Sequence, residues 1–479
     1  MGILLNKLTA YSENDFYPYH MPGHKRGQAG DLPNAWTSLD ITEIDGFDNL
    51  HQPQGLLREL QEKAAGAYGA EESFYLVNGS TCGILSAISA SVPFGGELLI
   101  ARNCHRSVYH CAYLRQLKLH YIYPKLRTDL DLYEAVTPKQ VREALRQHPR
   151  AAAVLIVSPT YEGRIADVEV IAQITHEKGL PLIVDEAHGA HLGFSPAFAP
   201  NSARLGADLV INSVHKTLPA MTQTALLHVN GSLVDRDRVR RFLRIYQTSS
   251  PSYVLMSSIE EAVELAAKGS GFDVLIQCWK KLLTDLSECK HLRILPESQE
   301  ACVKKRHDIG KLIISVKGTE LSGQQLYDIL LSEYHLQPEM ACESYVLCMF
   351  TVGDTKEGYE RLARALLDID SRLQEAPQEK LIPMPCLETV KPLFEAWEPE
   401  KESVPLVEAE GRLAGEFLNL YPPGSPIVVP GERLTGEAVT MLQQYLAQGL
   451  TVQGISEEGF VTVLEGNAGR QLCGAPLAK

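Results

Sequence analysis

The sequence predicts an α/β protein: a mostly parallel, doubly wound sheet of seven strands, followed by two smaller α+β units. Three observations predict it. Seven short apolar runs recur between residues 73 and 229. Amphipathic helical stretches separate several of them, each ending near a glycine or proline. Runs such as "AAAVLIV" are continuous rather than alternating, which suits strands covered on both faces.

Taken in order, residues 1–70 read as irregular, with turn formers in "YPYHMPGHKRGQAG" and one helical pattern in "QGLLRELQEKAAGAYG". The strand runs follow as "SFYLV", "ELLIA", "LHYIYP", "AAAVLIV", "LPLIVD", "ADLVINS" and "TALLHV". "TPKQVREALRQH" and "EVIAQITHEKG" lie between some of them as amphipathic helices. "SSIEEAVELAAKGSG" predicts a long helix. Between 290 and 370, "HLRILP", "KLIISVKG", "GQQLYDILLSEY", "ESYVLCMFTVG" and "YERLARALLDIDSRL" give a small α+β unit. The polar "QEAPQEK" then leads into a proline-rich tail containing "YPPGSPIVVPGE". The expected division is an N-terminal arm at 1–70, a large domain at 71–275, a small domain at 276–375 and a C-terminal domain at 376–479.

The 479 residues are 45% hydrophobic, enough for a substantial core. Lysine and arginine number 45 against 59 acids, a net charge of −14, and basic blocks are lacking; nucleic acid is not the expected partner. Ten cysteines form no CxxC pair and read as reduced thiols of a cytoplasmic protein. "MGILLNKLTAYSENDF" is too short and polar for a signal peptide, and no run of ~18 apolar residues predicts a membrane span.

Ligands of open α/β sheets sit beyond the carboxyl ends of the strands, so the residues following each run are the informative ones. "SFYLV" is followed by Asn78-Gly79-Ser80-Thr81-Cys82-Gly83 and a helix. That pattern offers backbone N–H groups to a phosphate, or an ordinary helix cap. "ELLIA" leads to His105, whose ring is placed to stack on a planar ligand or simply to lie at the surface. Asp185 ends "LPLIVD", a costly position for a carboxylate without a cation, with capping of the next helix as the plainer role. His188 and His191 follow, and with Asp185 and Glu186 they raise a metal site, but no third ligand has suitable spacing. "INSVHK" then brings Ser213, His215 and Lys216, a lysine among apolar neighbours. A phosphate cradle, a stacking ring, a strand-end aspartate and a lysine on successive strand ends are the set that pyridoxal 5′-phosphate needs.

Several motifs then stand in one order: "HMPGHKRG", "VNGSTCG", "NCHRS", "SPTYEG", "VDEAHGAHLGF", "SVHKTLPAMTQTALLHV", "TSSPSY" and "YPPGSPIVVPGE". Together they resemble the prokaryotic ornithine/lysine/arginine decarboxylases, fold-type-I enzymes like aspartate aminotransferase. The resemblance covers about residues 5–470 and implies decarboxylation of a basic amino acid, arginine first, with pyridoxal 5′-phosphate, in polyamine synthesis. It implies Lys216 as the Schiff-base lysine, Asp185 at the pyridine nitrogen and His105 stacked on the ring. Ser80, Thr81, Ser213, His215 and Ser250 are implied around the phosphate, and His188 near O3′ or the substrate carboxylate. His215 or Lys216 is implied as proton donor, and Glu432, with Glu43 and Asp45, as acids for the substrate side chain. A homodimer or larger assembly is implied, with "HMPGHKRG" near its interface. The family's acid-stress members carry an extra N-terminal wing, whereas this chain opens almost at "HMPGHK", like the shorter form. Another fold-type-I reaction such as transamination, using arginines in "SRL" or "KKRH", and a non-catalytic amine-binding relative are the alternatives.

Overall fold

Seven strands build one sheet in the order β1-β9-β8-β7-β6-β2-β3 in a computed structural model. The structure describes residues 2–14, 17–22, 24–27, 33–296, 306–377, 382–420 and 424–465. The strands are β1 (Glu72–Leu76), β2 (Glu97–Ala101), β3 (Lys118–Ile122), β6 (Ala151–Val157), β7 (Leu182–Asp185), β8 (Leu209–Ser213) and β9 (Ala225–Val229). Neighbours in β3-β2-β6-β7-β8 pair in parallel, and β9 runs antiparallel to both β8 and β1. A two-stranded ribbon, β4 (Leu126–Arg127) with β5 (Leu132–Tyr133), interrupts the series.

Helices cover both faces, which is why β7, β8 and β9 are buried at every position. The helix Gly79–Ser91 packs tightly on the sheet: a Cβ on Gly83 would sit 2.7 Å from Leu76 Cδ1 and 3.1 Å from Ile211 Cγ2. Glycine there is a condition for the helix to lie between β1 and β8.

A second, antiparallel sheet has the order β10-β11-β13-β12, from β10 (Arg293–Leu295), β11 (Lys311–Ser315), β12 (Met340–Ala341) and β13 (Tyr345–Met349). Its apolar face shares a core with the helices Tyr253–Ala267 and Lys356–Arg372 and with the N-terminal helix Ile3–Glu13. That first helix lies in a stretch expected to be irregular. It has no side-chain cap of its own: Glu260 accepts the N–H groups of Ile3 at 2.6 Å and Leu4 at 2.9 Å, so the start signal is not local in sequence.

The C-terminal part pairs β14 (Lys401–Pro405) with β18 (Phe460–Leu464) and sets β15 (Leu418–Leu420) between β16 (Pro426–Val428) and β17 (Val452–Gln453). Arg102, just after β2, joins this part to the large sheet. Its guanidinium donates to the carbonyls of Pro426 (2.6 Å) and Ile427 (2.9 Å) and to Glu432 (3.1 Å). Both side chains are buried, at 1% and 0% exposure. No described helix is long and apolar enough to cross a membrane.

Candidate active site

The carboxyl ends of β1, β2, β6, β7 and β8 lie on one edge of the sheet because those strands run in one direction. The turns leaving them carry most of the residues expected from sequence. Gly79 starts its helix at φ +73°, with open space around it and no side-chain cap from Asn78. The first-turn N–H groups near Ser80 and Thr81 are therefore available to an anion, and the helix dipole favours one there. Ser80 is half-buried and accepts a 2.9 Å hydrogen bond from the Ser213 hydroxyl, which is itself fully buried. Ser213 thus reaches the cradle through Ser80. The "TSSPSY" loop adjoins the same turn, since the Thr248 N–H donates to Asn78 Oδ1 at 3.1 Å; Ser250 is exposed on it.

His105 caps the helix Arg106–Leu114, its Nδ1 accepting the Ser107 N–H at 3.2 Å. The ring stays open to the cleft. The protein mass around it, and then the charge of Lys216, push its pKa down to about 4, so it is a neutral, flat surface. His215 donates Nδ1–H to the Thr224 carbonyl at 2.8 Å; burial first, then the charge of Lys216, lowers its pKa against that bond.

Asp185 is 4% exposed and accepts the Ala187 N–H at 3.2 Å. Burial raises its pKa, opposed by Lys216 and by that hydrogen bond. Lys216 follows β8 in the short helix Val214–Thr217, and burial lowers its pKa against the pull of Asp185 and Glu339. Its Nζ lies 3.0 Å from His188 Nε2. His188 is buried under the Tyr161 ring at 4.5 Å, and its Nδ1 lies 2.9 Å from Nζ of Lys311, the first residue of β11. Lys311 was not anticipated from sequence; its only signal is a lysine opening the apolar run "KLIISV".

A cavity of about 120 Å³ opens beside Tyr161, lined by Glu162, Glu343, Tyr345, Ser425 and Tyr445 among others. Burial raises the Glu343 carboxyl to about 7, helped by Asp131 and opposed by Lys317. Asp131 is already paired with Lys317 at 2.5 Å. Burial likewise raises Glu162 against hydrogen bonds from Thr160 and Tyr345. None of these acids was singled out in the sequence.

Other expected residues lie elsewhere. Glu432, expected to close the substrate pocket, is fully buried, holds Arg102 and the Val429 N–H (2.8 Å), and does not line the cavity. A carboxylate so enclosed is a joint between two parts of the chain. Glu43 lies near Tyr253. His191, weighed as a metal ligand, binds Asp308 at 2.9 Å, and among the described residues no three His, Cys, Asp or Glu side chains converge as a metal site requires. The described part of "HMPGHKRG" packs back on the N-terminal helix, His20 on Tyr11 at 2.9 Å and Arg26 over the Tyr11 ring at 4.9 Å; Gly23 lies outside the described residues. So do Lys304 and Lys305 of "KKRH" and Tyr421, Pro422 and Pro423 of the C-terminal motif.

This arrangement is the fold-type-I architecture of pyridoxal-phosphate enzymes. A structure of SPT with PLP shares it over 66% of this chain and 76% of that one, at 15% identity and a TM-score of 0.53. The Francisella novicida lysine decarboxylase LdcF shares it over 96% of this chain and 81% of that one, at 18% identity and a TM-score of 0.81. The chain belongs to the Orn/Lys/Arg decarboxylase family, whose major-domain model matches residues 3–304 and whose C-terminal-domain model matches residues 372–471. Arginine decarboxylase of Bacillus subtilis (strain 168) is 32% identical over 465 residues, covering 94% of this chain and 95% of that protein.

The residues present fit the cofactor of that fold class. Asp185 is a buried carboxylate whose charge is only partly offset, and a pyridinium N–H is the partner it lacks. The first turn after Gly79 is open to an anion, His105 offers a neutral ring, and Lys216 has a depressed pKa.

Proposed function

We propose that the protein decarboxylates a basic amino acid, arginine first and lysine or ornithine next, with pyridoxal 5′-phosphate bound to Lys216. One observation carries the reading: the Lys216 amine lies in Coulombic reach of a buried carboxylate at the sheet edge, beside a helix start left open for phosphate. The family and its arginine decarboxylase relatives support the substrate class. The cofactor supplies an electron sink for the pair left when CO₂ departs.

The chain's own residues do the rest. Asp185 keeps a proton on the ring nitrogen, and His105 holds the ring plane. Ser80 and Thr81, with Ser213 behind and the Ser250 loop beside them, anchor the phosphate; His215 keeps the Lys216 turn in shape through Thr224. His188 orients the Lys216 amine. Lys216 returns the proton to the substrate carbon, because His215 has committed its N–H to a carbonyl and its depressed pKa keeps the other nitrogen bare. Glu343 and Glu162 receive the distal cation in the adjoining cavity, where it offsets carboxylates that burial otherwise disfavours. The protein works in the cytoplasm as a homodimer or larger assembly; the free thiols of the described cysteines and the exposed Tyr17, Tyr19 and Met21 support this.

The test is an assay with arginine, lysine and ornithine side by side, with and without added cofactor, reading CO₂ and the amine by mass spectrometry. Cofactor-dependent agmatine, with less turnover of the other two, is the expected result. No CO₂ from any of the three rejects the reading.

A further inference from the structure

A buried lysine and a half-buried one share one imidazole. Lys216 approaches His188 at Nε2 (3.0 Å) and Lys311 approaches it at Nδ1 (2.9 Å). Lys311 is fully buried. Its stem passes Gly163, where a Cβ would lie 2.7 Å from Lys311 Cγ, and its amine lies 5.8 Å from the centre of the Tyr161 ring. That placement is built: glycine at 163, at φ +86°, leaves the volume that the lysine fills.

Hydrogen-bond arithmetic limits the charge this trio can hold. A neutral imidazole has one N–H and one bare nitrogen, while an ammonium only donates. With His188 neutral, one lysine must be an ammonium donating to the bare nitrogen and the other a free amine accepting the N–H. Two ammonium groups would set one of them against an N–H in a buried site. Burial, followed by the charges of Lys311 and Lys216, keeps His188 neutral, with His105 and His215 adding to the effect. Asp308, Glu339 and Glu162 support a charge on Lys311, and His307 accepts nothing from its amine, since it meets the Lys311 carbonyl instead. Asp185 and Glu339 support a charge on Lys216.

We propose that Lys216, His188 and Lys311 form a proton relay in which Lys311 is the inner reservoir for the Lys216 amine. Lys216 gives a proton to His188 Nε2 as Nδ1 gives its own to Lys311. One N–H breaks and one forms at each end, the imidazole exchanges tautomers, and one positive charge moves inward. The reverse movement recharges Lys216. Whenever its amine is free, Lys216 is a nucleophile with the charge on Lys311 and a proton donor with the charge returned. Burial pulls Lys311 down to about 8, so its proton is exchangeable near neutral pH. Lys311 touches no reacting atom and acts through His188. The inference rests on Lys216 being the cofactor lysine.

Two measurements on the full chain test it. In the first, the apoprotein is mixed with pyridoxal 5′-phosphate across pH, and the visible absorbance of the lysine–cofactor imine is followed. Removing the reservoir in Lys311→Met leaves Lys216 an ammonium to higher pH, so the midpoint of imine formation rises by about one pH unit, tenfold in free amine. Coincident midpoints overturn the relay. The second needs no Lys311 variant: ¹⁵N NMR of the His188 ring in the apoprotein, assigned with His188→Gln. The relay gives a neutral ring averaged over both tautomers, which Lys216→Ala converts to the single Nε2–H form under Lys311. An imidazolium at neutral pH, or a ring unchanged by Lys216→Ala, overturns it. Loss of cofactor binding by Lys216→Ala tests the assignment of function separately, because the ring signals are read without cofactor.

Discussion

Two charged clusters, one just after β2 and one beyond the ends of β7 and β8, are built on opposite plans. At the joint, Arg102 and Glu432 neutralise each other at 3.1 Å, and the spare guanidinium hydrogens reach carbonyls of Pro426 and Ile427. At the sheet edge, Lys216, His188 and Lys311 bring three basic groups together, while Asp185 and Glu162 beside them, and Glu343 in the adjoining cavity, are lifted by burial and incompletely offset. The directly bonded ion pair fastens parts of the chain, although burial raises the Glu432 carboxyl against the pull of Arg102. The cluster at the sheet edge leaves charge for a bound group to complete, and on the proposed function the partners are a ring nitrogen and a cationic substrate.

Four experiments break or sharpen that contrast. Lys216→Ala removes the proposed covalent anchor, so turnover falls by ~10⁴-fold or more and the imine absorbance vanishes, with the melting temperature little changed. Retained activity in this variant would reject the sheet-edge assignment. Glu432→Ala leaves an unpaired buried guanidinium and costs about 3–5 kcal/mol in urea unfolding, while the folded fraction keeps its kcat; a loss of kcat at unchanged stability would return Glu432 to the pocket. Glu343, raised to about 7, is charged only above that pH, so KM for the cationic substrate falls as pH rises through neutrality. Glu343→Gln raises KM and flattens that profile, and an unaltered profile removes Glu343 from the subsite. The smallest effect is on stability in Lys311→Met. With a folded pKa of about 8 against 10.5 for a free lysine, the unfolded chain holds more protons between these values. The cost of burying the charge is therefore present below about pH 8 and fades as pH rises toward 10.5. The variant unfolds at the same or a higher temperature than the parent at neutral pH, and the difference disappears in alkali. A clear loss of stability at neutral pH would make Lys311 a fastening like Arg102.

The same contrast explains what the sequence made legible. The seven strands were readable because each centres on a short apolar run, and the placement of Asp185, His188 and Lys216 at one sheet edge because polar residues following such runs stand out. The reversal of β9 was not read, although the Ser213-to-Ala225 connection is too short for the helical crossover that a parallel neighbour needs. The N-terminal helix was missed because its cap, Glu260, comes from a distant helix. Lys311, Glu162 and Glu343 were missed because each is ordinary in its local stretch and gains meaning only where the small sheet meets the edge of the large one. Glu432 misled for the converse reason: its motif pointed to the pocket, but its partner Arg102 lies in a different part of the chain.

The carboxylate of Glu260 that receives the first N–H groups of Ile3 and Leu4 has a consequence for synthesis. An eleven-residue helix is marginal alone in water. The helix Ile3–Glu13 therefore waits, unfinished, until Glu260, 257 residues beyond Ile3, has left the ribosome, so residues made early settle late.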